Sequence, residues 1–75
     1  MRGRPIKRSL TIRGHRTSVS LEAEFWDALR AIAAARALSV NALAAEIDAG
    51  RGSDVGLASA IRVFVLDWCR SGGSV

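Results

Sequence analysis

The period of the hydrophobic pattern changes once along this chain, and that change limits the folds open to it. From Ser9 to Leu21 apolar and polar residues alternate. Leu10, Ile12, Thr17, Val19 and Leu21 fall on one face, and Ser9, Thr11, Arg13, Arg16, Ser18 and Ser20 on the other. A period of two marks a half-buried strand, or strand pair, with a polar outer face. The phase slips at Gly14-His15, where a break or turn must sit.

Beyond Leu21 the period lengthens to that of a helix. Phe25, Leu29, Ile32 and Ala33 form one stripe, bordered by Ala28 and Arg36, which predicts a first helix over residues 22–36. Glu22, Glu24 and Asp27 crowd its first turns, where the helix dipole favours negative charge. Ser39 then offers an N-cap hydroxyl for a second helix with Val40, Leu43, Ala44 and Ile47 on its apolar side, ended by Gly50-Arg51-Gly52-Ser53. Leu57, Ile61, Phe64, Val65 and Trp68 set the spacing of a third helix over residues 57–70. Val63 and Leu66 add apolar surface elsewhere on it, so that helix must be covered on more than one side. The fold class is therefore α+β: an N-terminal β-ribbon or β-hairpin followed by three helices.

The chain has 75 residues, one cysteine and one histidine. A single small domain of that size buries little surface, and Cys69 and His15 alone supply neither a disulfide framework nor a metal cage. Association with a second copy is the expected route to a stable core. No metal or other cofactor is implied. No apolar run approaches the roughly 20 residues that span a bilayer, and the basic start lacks the apolar stretch of a secretory signal. With a lone cysteine suited to a reducing compartment, the expected location is the cytoplasm.

Charge is distributed unevenly. Arg2, Arg4, Lys7, Arg8, Arg13 and Arg16 precede residue 22 with no acid among them, whereas all seven acids follow, against five arginines. A basic segment on a slightly acidic body points to a polyanionic partner, nucleic acid before membrane. His15 reads as a turn residue and Cys69 as a core residue of the third helix. Trp26 would help cover the third helix or a partner, and Trp68 would lie in a dimer core. No Gly-rich phosphate loop, carboxylate pair or nucleophile–base set is present, so an enzyme is not expected.

A basic polar strand, a helix, a short turn and a Ser-capped helix follow one another in this sequence. Through Arg16-Thr-Ser-Val-Ser-Leu21 and Leu38-Ser-Val-Asn41 it resembles the Arc/MetJ-type ribbon-helix-helix family. It is similar in particular to small bacterial ribbon-helix-helix proteins marked by Gly14-His-Arg-Thr-Ser-Val-Ser-Leu-Glu22 and Phe25-Trp26. The resemblance covers about residues 9–70. It implies an intertwined homodimer in which one strand from each subunit forms a two-stranded ribbon for the DNA major groove, a groove about 12 Å wide that admits such a ribbon.

Carried over by position, the resemblance turns Arg16, Ser18 and Ser20 to base edges and Thr17, Val19 and Leu21 to the core. It also makes Ser39, Val40 and Asn41, at the start of the second helix, a phosphate anchor, because free N–H groups and the dipole favour an anion there. Arg2, Arg4, Lys7, Arg8 and Arg13 would neutralise further phosphates. The implied function is that of a small transcriptional regulator. The alternative is a protein-interaction module, antitoxin-like or an adaptor subunit, using Phe64, Val65 and Trp68 on the third helix.

Two departures bear on this expectation. The family often has glycine where the first helix ends; here stands Ala37. And Arg13-Gly14-His15-Arg16 suits a two-residue hairpin with Gly14 first in a type II′ turn, pairing Ile12 with Thr17 and Leu10 with Val19. Either that hairpin forms within the chain, or residues 9–13 continue a phosphate-tracking arm. The expected division is a basic arm over residues 1–8, the domain over 9–71 and a flexible tail over 72–75.

Overall fold

The computed structural model describes residues 4–72; Arg2 and residues 73–75 of the expected tail lie outside the described residues. Strand β1 (Pro5–Ile12) pairs antiparallel with β2 (His15–Glu22), and helices α1 (Ala23–Ala35), α2 (Val40–Gly50) and α3 (Leu57–Arg70) follow. The hairpin alternative is the one adopted, and β2 finds its strand partner inside its own chain.

Its register differs from the expected one. Ile12 faces His15 and Leu10 faces Thr17, so the two connecting residues are Arg13 and Gly14 rather than Gly14 and His15. Both have positive φ, 50° and 82°. That is the signature of a type I′ turn, whose twist matches that of the flanking strands. Gly14 takes the conformation freely. Arg13 is held in it while its guanidinium bonds Asp48 of α2 at 2.7 Å. The expected arm over residues 1–8 is also corrected: Pro5–Arg8 belong to β1, facing Glu22, Leu21, Ser20 and Val19.

What fixes that outer half of β1 is Trp26. This residue is 2 % exposed, and its indole N–H donates to the Ile6 carbonyl at 2.9 Å. The Arg8 guanidinium sits 5.9 Å from the ring centre, a cation over an aromatic face. Trp26 therefore seats the first strand, rather than covering α3 or a partner.

The core closes within one chain. Leu10, Ile12, Val19 and Leu21 descend from the inner face of the hairpin onto Trp26, Leu29, Ile32 and Ala33 of α1, Leu43, Ala44 and Ile47 of α2, and Ile61 and Val65 of α3. Leu21, Leu29, Leu43 and Ile61 are fully buried. Each such side chain contributes about 1.5–3 kcal/mol relative to exposure, so the four form the centre of the hydrophobic stabilisation. Helix α3 packs on α1, α2 and β2 of its own chain.

The turn from α1 to α2 carries the strain expected at Ala37. That residue has φ 57°, the Ala37 N–H bonds the Ala34 carbonyl at 3.1 Å, and the Leu38 N–H bonds the Ala33 carbonyl at 2.8 Å. These are the two bonds of a Schellman motif, which normally ends in glycine. Ser39 then caps α2, its hydroxyl accepting from the Ala42 N–H at 3.0 Å.

Helix α3 departs from expectation on its outer side. Val65 is a core residue at 5 % exposure, while Phe64 and Trp68 are half-buried with ring centres 6.4 Å apart. The exposed apolar pair is instead Val63 and Leu66. Cys69 is exposed, not core: it stands one turn beyond Val65, the last fully covered residue of the helix. Among the described residues no single helix is long and apolar enough to cross a membrane; α1 and α2 reach that length together but are bent by 100°.

Candidate nucleic-acid interface

Residues directly opposite one another in an antiparallel pair share a face. With Leu10, Ile12, Val19 and Leu21 inward, the outward face of the hairpin therefore carries three rows: Lys7 with Ser20, Ser9 with Ser18, and Thr11 with Arg16. All six side chains are exposed. Rows two residues apart stand about 6.6 Å apart along a strand, so three rows span about 13 Å. The face holds two cations and four hydroxyls. The next row, Pro5 with Glu22, brings the first acid, and its carboxylate accepts from Arg62 of α3 at 3.0 and 3.2 Å.

The Glu22 carboxyl is held below its ordinary pKa by a hydrogen bond from its own main-chain N–H and by Arg62 beside it. The acid of that row is thus matched by a cation of α3. Among the described residues, the side chains of Arg4, Lys7 and Arg16 have no hydrogen bond and no ion pair, so their charges face solvent.

The other residues expected at DNA divide into groups. Arg8 lies on the opposite face, over Trp26, and Arg13 is tied to Asp48 at the turn. Ser39 commits its hydroxyl to the cap. Asn41 reaches from the first turn of α2 to the ribbon, its Oδ1 accepting from the Thr11 N–H at 3.2 Å. That bond sets the start of α2 beside the Thr11–Arg16 row. The N–H groups of Val40 and Asn41, in the first turn, have no acceptor within the helix and remain donors to an outside group.

The hairpin brings Lys7, Ser9 and Thr11 level with Arg16, Ser18 and Ser20. Alternation alone puts Ser9 and Thr11 on the outer face and leaves Lys7 with the arm. The pairing of β1 with β2 as far as Pro5 joins Lys7 to the same surface.

The chemistry available here is recognition. Among the described residues no group of three or more His, Cys, Asp or Glu side chains gathers to hold a metal ion. The apolar hollow between α2 and α3, about 480 Å³ and lined by Ile47, Val55, Val63 and Phe64 among others, lies apart from the ribbon face.

Comparison with known proteins agrees with the architecture. The sequence model described as "Ribbon-helix-helix domain" matches residues 5–69. A solved structure, that of an uncharacterized protein from Bordetella pertussis Tohama I, superposes with a TM-score of 0.73 at 30% identity, over 95% of this chain. The chain spans 62% of the length of that protein. No curated protein matches the sequence. Ribbon-helix-helix domains are generally DNA-binding, typically non-enzymatic, transcription regulators that usually form dimers. With a ribbon, a Ser-capped second helix in contact with it and a family match over nearly its whole length, this chain belongs to the ribbon-helix-helix domain family.

Proposed function

We propose that this protein is a small cytoplasmic transcriptional regulator that binds DNA through the outward face of its ribbon. The observation that carries the reading is the face itself: unpaired Lys7 and Arg16, four hydroxyls, and no uncompensated acid. In this reading Arg16, Ser18 and Ser20 contact base edges. Arginine can donate bidentately to guanine, whereas serine contacts several bases without strong discrimination. Arg4, Lys7 and the start of α2 at Ser39, Val40 and Asn41 contact phosphates, while Arg8, over Trp26, and Arg13, held by Asp48, are turned from that face. Contacts of this second kind position the protein and carry the salt dependence. A homodimer, the usual state in the family, is part of the proposal.

A second reading, a protein-interaction module, draws on one observation: Val63 and Leu66 of α3 are 56 % and 52 % exposed. Fluorescence anisotropy on a random-sequence duplex separates the two. The DNA-binding reading expects association at low salt whose logarithm falls linearly with log salt, by about 0.9 per phosphate neutralised. Arg4→Ala should reduce that slope by about one unit and weaken all sequences alike. Arg16→Ala should cost roughly 1–3 kcal/mol on a selected duplex and less on a scrambled one. Absence of binding at low salt would overturn the reading and leave the interaction module.

A further inference from the structure

The hollow between α2 and α3 is left open by the chain's own side chains. Ile47 and Gly50 of α2, Val55 of the connecting loop, and Ala60, Val63 and Phe64 of α3 line it, around a volume of about 480 Å³. Sites for small organic molecules run from about 300 to 1,000 Å³ and are mostly apolar, with a few polar groups that fix orientation. This hollow has that size and that kind of wall.

Gly50 keeps it open. The residue closes α2, and its φ is not positive, so no left-handed turn calls for glycine there. A Cβ built on it meets no atom within 4 Å, so no packing calls for glycine either. What the missing side chain leaves is access to the main chain from inside the hollow, and close approach of the backbone to a ligand is one use of glycine.

The charged residues along the hollow are Glu46, Arg51 and Asp67. Two of them are taken. Glu46 accepts from Arg36 at 2.6 and 3.2 Å. Arg51 donates to Asp48 at 2.7 Å and to the Val55 carbonyl at 2.6 Å. The exposed Asp67 carboxylate has no hydrogen bond and no ion pair among the described residues. An apolar hollow with one unmatched negative charge beside it is complementary to a molecule with an apolar body and one cationic group. Phe64, whose ring centre lies 6.4 Å from that of Trp68, offers an aromatic wall to such a body.

We infer that the hollow binds a small amphipathic cation, an aromatic or alkyl amine, with its apolar part between Ile47, Val63 and Phe64 and its ammonium on Asp67. The site lies apart from the ribbon, and the inference does not depend on the reading of the ribbon face.

The test is an amide chemical-shift titration of the full chain with three probes of one shape, 4-phenylbutylamine, 4-phenylbutanol and 4-phenylbutyrate, each raised to millimolar concentration. The amine should shift Ile47, Gly50, Val55, Val63 and Phe64 and bind about two- to fivefold more tightly than the alcohol, the range of an exposed ion pair, with the acid weakest. Asp67→Asn should bring the amine down to the alcohol and leave the alcohol unchanged. Gly50→Leu, which fills the hollow, should lose both, with circular dichroism confirming that the fold is kept. Equal affinity for the three probes, binding that survives Gly50→Leu, or no binding of the amine would overturn the inference. Wild type and Gly50→Leu should sediment alike; a smaller species for Gly50→Leu would give the hollow to a second copy of the chain and overturn it too.

Discussion

Ala37→Gly should stabilise this protein, and the size of the gain follows from the turn that ends α1. Ala37 has φ 57°, in the left-handed region, and is held there by the Ala37–Ala34 and Leu38–Ala33 main-chain bonds. A non-glycine residue in that region costs about 1–2 kcal/mol through the approach of Cβ to the following carbonyl oxygen. Glycine removes that cost but returns freedom to the unfolded chain, a loss of about 0.4–1 kcal/mol. The balance is a gain of up to about 1.6 kcal/mol, and in a domain of this size each 1 kcal/mol raises Tm by about 4–8 °C. Ala37 is exposed, so no packing is lost in the exchange. Thermal melts followed by circular dichroism at one fixed protein concentration read the change directly. Ala37→Val, which adds a β-branched side chain at the same φ, should move Tm the other way. A lower Tm for Ala37→Gly would refute the strain argument and show that the turn is held by something other than the two bonds described.

Three further outcomes follow from the same geometry. Leu21→Ala removes a fully buried side chain between the ribbon and the helices and should cost about 2–5 kcal/mol in a urea melt. Ser39→Ala removes the hydroxyl that accepts from the Ala42 N–H and should cost about 1 kcal/mol, read by the same melt. The pKa of Glu22 is lowered in the folded chain, so its contribution is fully present above the ordinary value of 4.5 and is lost as pH falls through the folded value. The urea midpoint should therefore drop on acidification below that value, and less so in Glu22→Gln.

Much of the fold was legible because the pattern changes period. Leu29, Ile32 and Ala33 of the first stripe, the Ser39 cap and the span Leu57–Arg70 all stand where periodicity and capping place them, whereas Trp26 takes the buried place expected of Phe25, which is half-buried. The two faces of the ribbon were legible for the same reason. Its register was not: sliding the pairing from Ile12–Thr17 to Ile12–His15 leaves every side chain on its original face, so alternation is blind to the shift. The positive φ at both Arg13 and Gly14 decides it. The outer half of β1 was hidden because Arg8 occupies an inward position, a cation where the pattern calls for an aliphatic. Its guanidinium over Trp26 makes that position tolerable. On α3, apolar residues lie nearly all round the helix, so the sequence could not separate buried Val65 from exposed Val63 and Leu66. The candidate site was half legible. Arg16, Ser18 and Ser20 follow from the strand pattern, but Lys7 joins them only through pairing inside the chain, and the signal that would have found it is the repeat between residues 7–12 and 16–21.

The account turns on which surface meets DNA, and amide chemical-shift mapping during titration with a random-sequence duplex at low salt measures that residue by residue. The largest shifts should fall on Lys7, Ser9, Thr11, Arg16, Ser18 and Ser20 and on Val40 and Asn41 at the start of α2, with Val63 and Leu66 unmoved. Shifts gathered on the outer side of α3, with a silent ribbon, would contradict it.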